Sequence, residues 1–264
     1  MLLFALVGGN LLLTLLMLSS RSSQGTPDAE MLTLFQRTIV DAERPTAARI
    51  SDQLFPLTPD NPKLHWETRD GSRWVKVVTW QSNASVASNY GDDKKGEPQR
   101  VAGFNLWVTL APQVKNFCNS LPRDIDPSFR LKQYLGLNPA RRYERFVELL
   151  VRPEQVFRPC PDPDPSDRRC ELQMAPDQTP RVSGIEDYRL WMAEMRRKSY
   201  QPDGAPWTRL GYTYDWQYGS WGVGGSEYIL TPDATYYVLE SYSTDEYCGY
   251  PVTAFADKGA KEVQ

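Results

Sequence analysis

Residues 64–81, LHWETRDGSRWVKVVTWQ, place two runs rich in Trp, Val and Thr on either side of Asp70-Gly71. Aromatic and β-branched residues favour extended backbone, and an Asp-Gly pair readily takes the positive φ angles of a two-residue hairpin turn. The segment therefore reads as an antiparallel hairpin, and a sheet of that kind becomes the frame of the expected fold. Working outward, FNLWVTL, residues 104–110, reads as a further strand, followed by a short helix over Pro112 to Asn119. In DIDPSFRLKQYLGL, residues 124–137, Pro127 stands in the first turn of a helix, Phe129, Leu131, Tyr134 and Leu135 share one side, and Gly136 stops it. ARRYERFVELLVRP, residues 140–153, fits either a helical stripe or strict alternation; the short length left between Pro139 and Pro153 favours a strand.

Two longer helices are expected. One covers MLTLFQRTIVDAERPTAARI, residues 31–50, with Asp28 as its cap and Pro45 as its stop. The other lies in SGIEDYRLWMAEMRRKSY, residues 183–200, where Ser183 and Glu186 have the spacing of a capping box and Ile185, Tyr188, Trp191, Met192 and Met195 form an apolar stripe. The polar stretch at residues 82–100 reads as an exposed loop, and SEYIL with TYYVLESY, joined by TPDA (residues 231–234), reads as a second β-hairpin. No internal repeat of fixed period is visible, which argues against solenoids and propellers. The expected class is α+β: a largely antiparallel sheet with three or four packed helices, stabilised by disulfides.

With 264 residues, 41% hydrophobic and 24% charged, the chain can bury a core. The mean hydropathy of −0.53 excludes a protein made mostly of membrane spans. Its net charge of −3, with basic residues scattered, offers no footprint for nucleic acid. The tightest basic run, Arg196-Arg197-Lys198, falls at a helix end, where cations suit the helix dipole. The first residues, MLLFALVGGNLLLTLLMLSS, are uncharged and largely apolar from Leu2 to Leu18. That length suits a long signal peptide or a minimal anchor, although no positive charge precedes it and Arg21 follows it. Residues 1–25 are thus assigned to a leader and residues 26–264 to one α+β domain, expected to be exported to a periplasmic or extracellular setting and cleaved or tethered through residues 2–18.

Export changes how four cysteines read, since an even number in an oxidising compartment favours disulfides. Cys118, Cys160, Cys170 and Cys248 allow three pairings; Cys160 with Cys170 is the first choice, leaving Cys118 with Cys248, although sequence alone does not settle the connectivity. The nine residues between Cys160 and Cys170 are too many for a zinc ligand pair or a redox motif. Asp162, Asp164 and Asp167 only partly match a calcium loop, which also needs a glycine turn and a terminal glutamate. A clasp closing a proline-stiffened loop remains, and no metal or cofactor is expected.

Chemistry has few handles. His65 is the sole histidine and lies in a strand-like run, GSWGVGGSEY (residues 219–228) lacks the phosphate-loop lysine, and no nucleophile elbow surrounds a serine. Asp215 and Glu227 flank the glycine-rich loop and form the one carboxylate pair worth naming for a polysaccharide hydrolase. From Pro206 to Tyr250 the chain is dense in Tyr, Trp and Gly. Trp207, Tyr214, Trp216 and Trp221 could present ring faces to a glycan or a protein partner in the cell envelope; the competing reading is that alternating Tyr212, Tyr214 and Trp216 fill a sheet face. The expected role is binding rather than catalysis, with a hydrolase or a subunit of a membrane-associated assembly as alternatives.

Overall fold

The computed structural model describes residues 29–251; the apolar leader, Asp28 and residues 252–264 lie outside the described residues. In chain order the α-helices and strands are α1 (Ala29–Ala42), β1 (Trp66–Arg69), β2 (Ser72–Gln81), α2 (Asn83–Asn89), β3 (Pro98–Arg100), β4 (Trp107–Leu110), α3 (Ala111–Asn119), α4 (Pro127–Tyr134), β5 (Arg145–Val151), β6 (Val156–Phe157), α5 (Tyr188–Ser199), β7 (Tyr212–Asp215), β8 (Gly222–Ser226), β9 (Tyr228–Leu230), β10 (Thr235–Ser243) and α6 (Thr244–Tyr247). The class is the expected disulfide-stabilised α+β fold. There are six helices among the described residues rather than three or four, α2 and α6 being the short additions.

The opening hairpin forms as its sequence specifies. Asp70 (φ 50°) and Gly71 (φ 71°) both take positive φ, and Arg69 sits opposite Ser72 across the turn. β2 then becomes a central strand of a mostly antiparallel eight-stranded sheet in the order β3-β10-β5-β2-β4-β9-β6, with β1 paired to β2. The ambiguous run at 140–153 is strand β5, paired on both sides, to β2 and to β10. Its Val147, Leu149 and Val151 join Val75, Val77, Tyr236 and Val238 in one core, while Phe146 turns the other way with Val78 and Trp80 against Val114, Leu131 and Tyr247. Both faces of β2 and β5 therefore carry buried apolar residues, the second also holding the Lys76–Glu148 ion pair at 3.0 Å, and each fully buried Val or Leu contributes about 1.5–3 kcal/mol.

The expected pairing of residues 226–230 with 235–242 does not form. Thr231–Ala234 does close a turn, with Ala234 N donating to Thr231 O at 3.0 Å. Yet β9 pairs with β4 and β6, β10 pairs with β5 and β3, and three strands lie between them. A turn of this kind spans less than about 7 Å, whereas four strand spacings in a flat sheet span about 19 Å. The sheet must curl to bring its ends together, and Tyr228 and Leu230 of β9 do share a core with Tyr236 and Val238 of β10. The link alone cannot distinguish a hairpin from a curled sheet.

Two further expectations are corrected. The stretch at 82–100 contains α2, capped by Ser82 Oγ accepting from Ser85 N at 3.2 Å, and β3. Buried Val86 and Tyr90 anchor it, four residues apart amid polar neighbours. Helix α5 starts at Tyr188, where Asp187 caps Leu190 N at 3.0 Å; the Ser183–Glu186 box is not used, because Gly184 takes φ 75° in a turn ahead of the helix. Both proposed disulfides are present, Cys118–Cys248 and Cys160–Cys170, with Cα separations of 5.1 and 6.5 Å. The first ties α3 to the end of α6 across 130 residues. Disulfides form and persist mainly in oxidising compartments, which agrees with the expected export. Among the described residues no helix is long and apolar enough to cross a membrane.

Candidate functional site

Most aromatic residues of the C-terminal third face inward, Tyr218 being the exposed exception at 84%. β7 and β8 form a two-stranded ribbon outside the main sheet, and its rings fasten it to the surrounding elements. Trp216 is fully buried and meets Phe35 of α1 and Phe129 of α4 edge-on, each at 5.8 Å. Tyr214 is 1% exposed and donates its hydroxyl to Asp41 of α1 at 2.7 Å. Trp207 is buried, with its indole N–H donated to Pro159 O at 3.1 Å and its ring edge-on to Trp107 and Trp191. Trp221 is half-buried, donates to the Tyr212 hydroxyl at 2.9 Å and lies under the Arg49 guanidinium. The structure thus takes three of the four expected ligand-binding rings, Trp207, Tyr214 and Trp216, into the core, where Tyr214 and Trp216 pack against α1 and Trp207 against Trp107 and Trp191. The glycines serve the same packing: a Cβ at Gly224 would collide with the Tyr134 carbonyl and the Thr213 side chain.

The expected carboxylate pair is not assembled. Asp215 is held by both terminal nitrogens of Arg130, at 3.0 and 2.6 Å, in a two-point pair between β7 and α4. Glu227 lies at the opposite end of the ribbon, its backbone N–H on Gly211 O at 3.1 Å. Four residues of strand separate Gly211 from Asp215, about 13 Å, whereas glycosidic carboxyl pairs stand about 5–9.5 Å apart. The Glu227 side chain is buried and its Oε1 has no hydrogen-bond partner. Burial raises its pKa to about 8, and the neighbouring Trp207 offsets this only in part. His65 faces solvent, one residue ahead of β1.

The cysteine loop encloses a side chain. Arg158, two residues before Cys160, is 0% exposed. Its guanidinium donates to Arg169 O at 2.9 Å, Asp167 O at 2.8 Å and Pro165 O at 3.3 Å, and pairs with the Asp167 carboxylate. The loop closed by Cys160–Cys170 therefore wraps a buried cation. Asp167 is its counter-charge rather than a metal ligand, and among the described residues no cluster of three or more metal-ligating side chains occurs. Tyr188, the first residue of α5, ties the helix to this clasp by donating to Cys160 O at 2.8 Å.

Beside the clasp, two adjoining concavities of about 360 and 280 Å³ run along α5 and share Ala193 and Arg196. Leu172, Met174 and Met192 supply apolar lining, and Arg189, Arg196, Arg197 and Arg209 surround it. Arg189 and Arg196 are seven residues apart, two helical turns, and so share a face with the small Ala193 between them. Arg209 has φ 57°, a conformation costly for a residue with a Cβ. It is held there by Nε donating to the Tyr200 hydroxyl at 3.0 Å and Nη2 donating to Glu43 O at 2.8 Å. Among the described residues none of these four arginines lies within 4.0 Å of a carboxylate, so a chain of net charge −3 carries four arginines without an ion-pair partner along this groove, with Glu43 as the one acid in its lining. Sequence reasoning noticed Arg196 and Arg197 but assigned them to the helix dipole; the seven-residue interval from Arg189 was the available signal. Arg209 left none, because its place follows from the turn after Trp207. In comparisons with known protein families, curated proteins and solved structures, the chain matches none of them.

Proposed function

We propose that this is an exported, non-enzymatic binding protein of the cell envelope, periplasmic or extracellular, free or tethered through residues 2–18, that holds an anionic partner in the groove along α5. One observation carries the reading: four arginines without carboxylate partners border two adjoining concavities, and three of them, Arg189, Arg196 and Arg209, line the one with apolar lining. Guanidinium groups make planar two-point hydrogen bonds to carboxylate and related anions; Arg189 and Arg209 already donate to protein oxygens, and Glu43 is the one acid among the lining residues. The binding role is kept from the sequence, but its site moves from the C-terminal rings to the helix beside the clasp. The Asp215–Glu227 hydrolase reading loses support, since one acid is neutralised by Arg130 and the other is enclosed.

Retention on a resin bearing immobilised polyaspartate tests this. The protein is expected to be retained at low salt despite its net negative charge and to elute as salt rises. Reversing two groove charges, Arg196→Glu with Arg197→Glu, is expected to abolish retention, while the matched change Arg37→Glu with Arg100→Glu leaves it intact. Equal loss in both double variants would show that overall charge, not the groove, governs binding.

A further inference from the structure

The groove's dimensions and lining point to a narrower class of partner. We infer that its occupant is an extended acidic peptide segment of a protein, with aliphatic side chains between its acids; this rests on the groove being the binding face. From Arg189 to Tyr200 the helix rises about 17 Å, which matches about five residues of extended chain. The two methionines and Leu172 offer a soft apolar lining rather than flat rings, and thioethers adapt to aliphatic side chains of varied shape.

A sugar polymer would be expected to find exposed aromatic faces. Tyr200 is the one ring among the lining residues; it is partly buried, and its hydroxyl is occupied, donating to Trp207 O at 2.7 Å and accepting from Arg209. The arginines differ in availability. Arg189 is committed to Ala175 O, Gln178 O and Thr179 Oγ1, which fixes the segment following Met174, and Arg209 is committed to Tyr200 and Glu43. Arg196 is exposed and lines both concavities. It is therefore the guanidinium best placed to take a ligand carboxylate, with apolar side chains of the peptide settling toward Leu172 and Met192.

The test is fluorescence anisotropy on the full-length protein with three labelled probes: a seven-residue peptide of alternating Glu and Leu, its Gln/Leu counterpart, and an oligogalacturonate of similar length. The wild type is expected to bind only the Glu/Leu peptide, with affinity falling as salt rises. Arg196→Glu is expected to bind it about tenfold more weakly and Arg196→Gln to fall between the two, with unchanged circular dichroism in both. Oligogalacturonate binding as tight as the peptide's, lost in Arg196→Glu, would overturn the peptide assignment while leaving the groove as the binding face. Binding of the Gln/Leu peptide as tight as that of the Glu/Leu peptide would overturn the acidic assignment. No binding of any probe, or wild-type affinity in both Arg196 variants, would overturn the groove reading itself.

Discussion

Glu227 is a buried acid without a partner for Oε1, and its cost depends on pH. Its pKa rises from the usual 4.5 to about 8 because burial penalises the carboxylate. Below pH 4.5 the group is protonated in both folded and unfolded chains, and its contribution to stability is fully present. Between 4.5 and 8 the unfolded chain releases the proton while the folded one keeps it, so stability falls by about 1.4 kcal/mol per pH unit. Above 8 that contribution is gone. Glu227→Gln, which preserves shape, is therefore expected to flatten the decline of the urea midpoint between pH 5 and 8 and to be the more stable protein at pH 8. A variant that keeps the wild-type slope would contradict this. The sequence shows that acids stand at 215 and 227 but not which way they face. Tyr212 and Tyr214 alternating with Thr213 and Asp215 did carry the core reading of the rings, whereas the Arg130 partner of Asp215, 85 residues earlier, left no local trace.

At the scale of elements, the Cys160–Cys170 loop can be understood as a cage for Arg158. Its function as a clasp was legible by elimination of metal and redox spacings; its contents were not, because Arg158 lies outside the cysteines and contacts the loop only after the chain doubles back. A disulfide closing a loop this short contributes about 2–3 kcal/mol in the chain-entropy model, and the Asp167 hydrogen bond to a buried cation falls at the low end of about 1.5–3 kcal/mol, because the carboxylate is partly exposed. Since both hold the same loop, their effects should couple. Replacing both cysteines by serine, and separately Asp167→Asn, should each lower stability, and the combined variant should lose measurably less than the two losses added. Strict additivity in urea unfolding would show that the loop and the arginine are held independently. The hairpin at Asp70-Gly71 was readable for the opposite reason: its signal is complete within four residues.

For the whole molecule, two design choices decide where function can sit. The sheet curls around a core shared by β2, β5, β9 and β10, and the ribbon β7–β8 uses its rings to attach α1 and α4. Together these take most of the aromatic surface that composition alone made attractive, Tyr218 staying exposed, while α5 carries an exposed groove bordered by arginines. Composition and spacing specified the fold class, the residues of its first turn and the disulfide pairs that suit an oxidising environment. They did not specify strand order beyond neighbours or the face of α5, since both depend on contacts between segments distant in the chain. The most direct measurement is to map amide chemical-shift changes on the full-length protein as the Glu/Leu peptide is added. The account predicts that changes concentrate at residues 172–174, 189–201 and 209. Changes concentrated instead at Tyr218 to Trp221, with α5 unmoved, would return the binding face to the aromatic ribbon and contradict it.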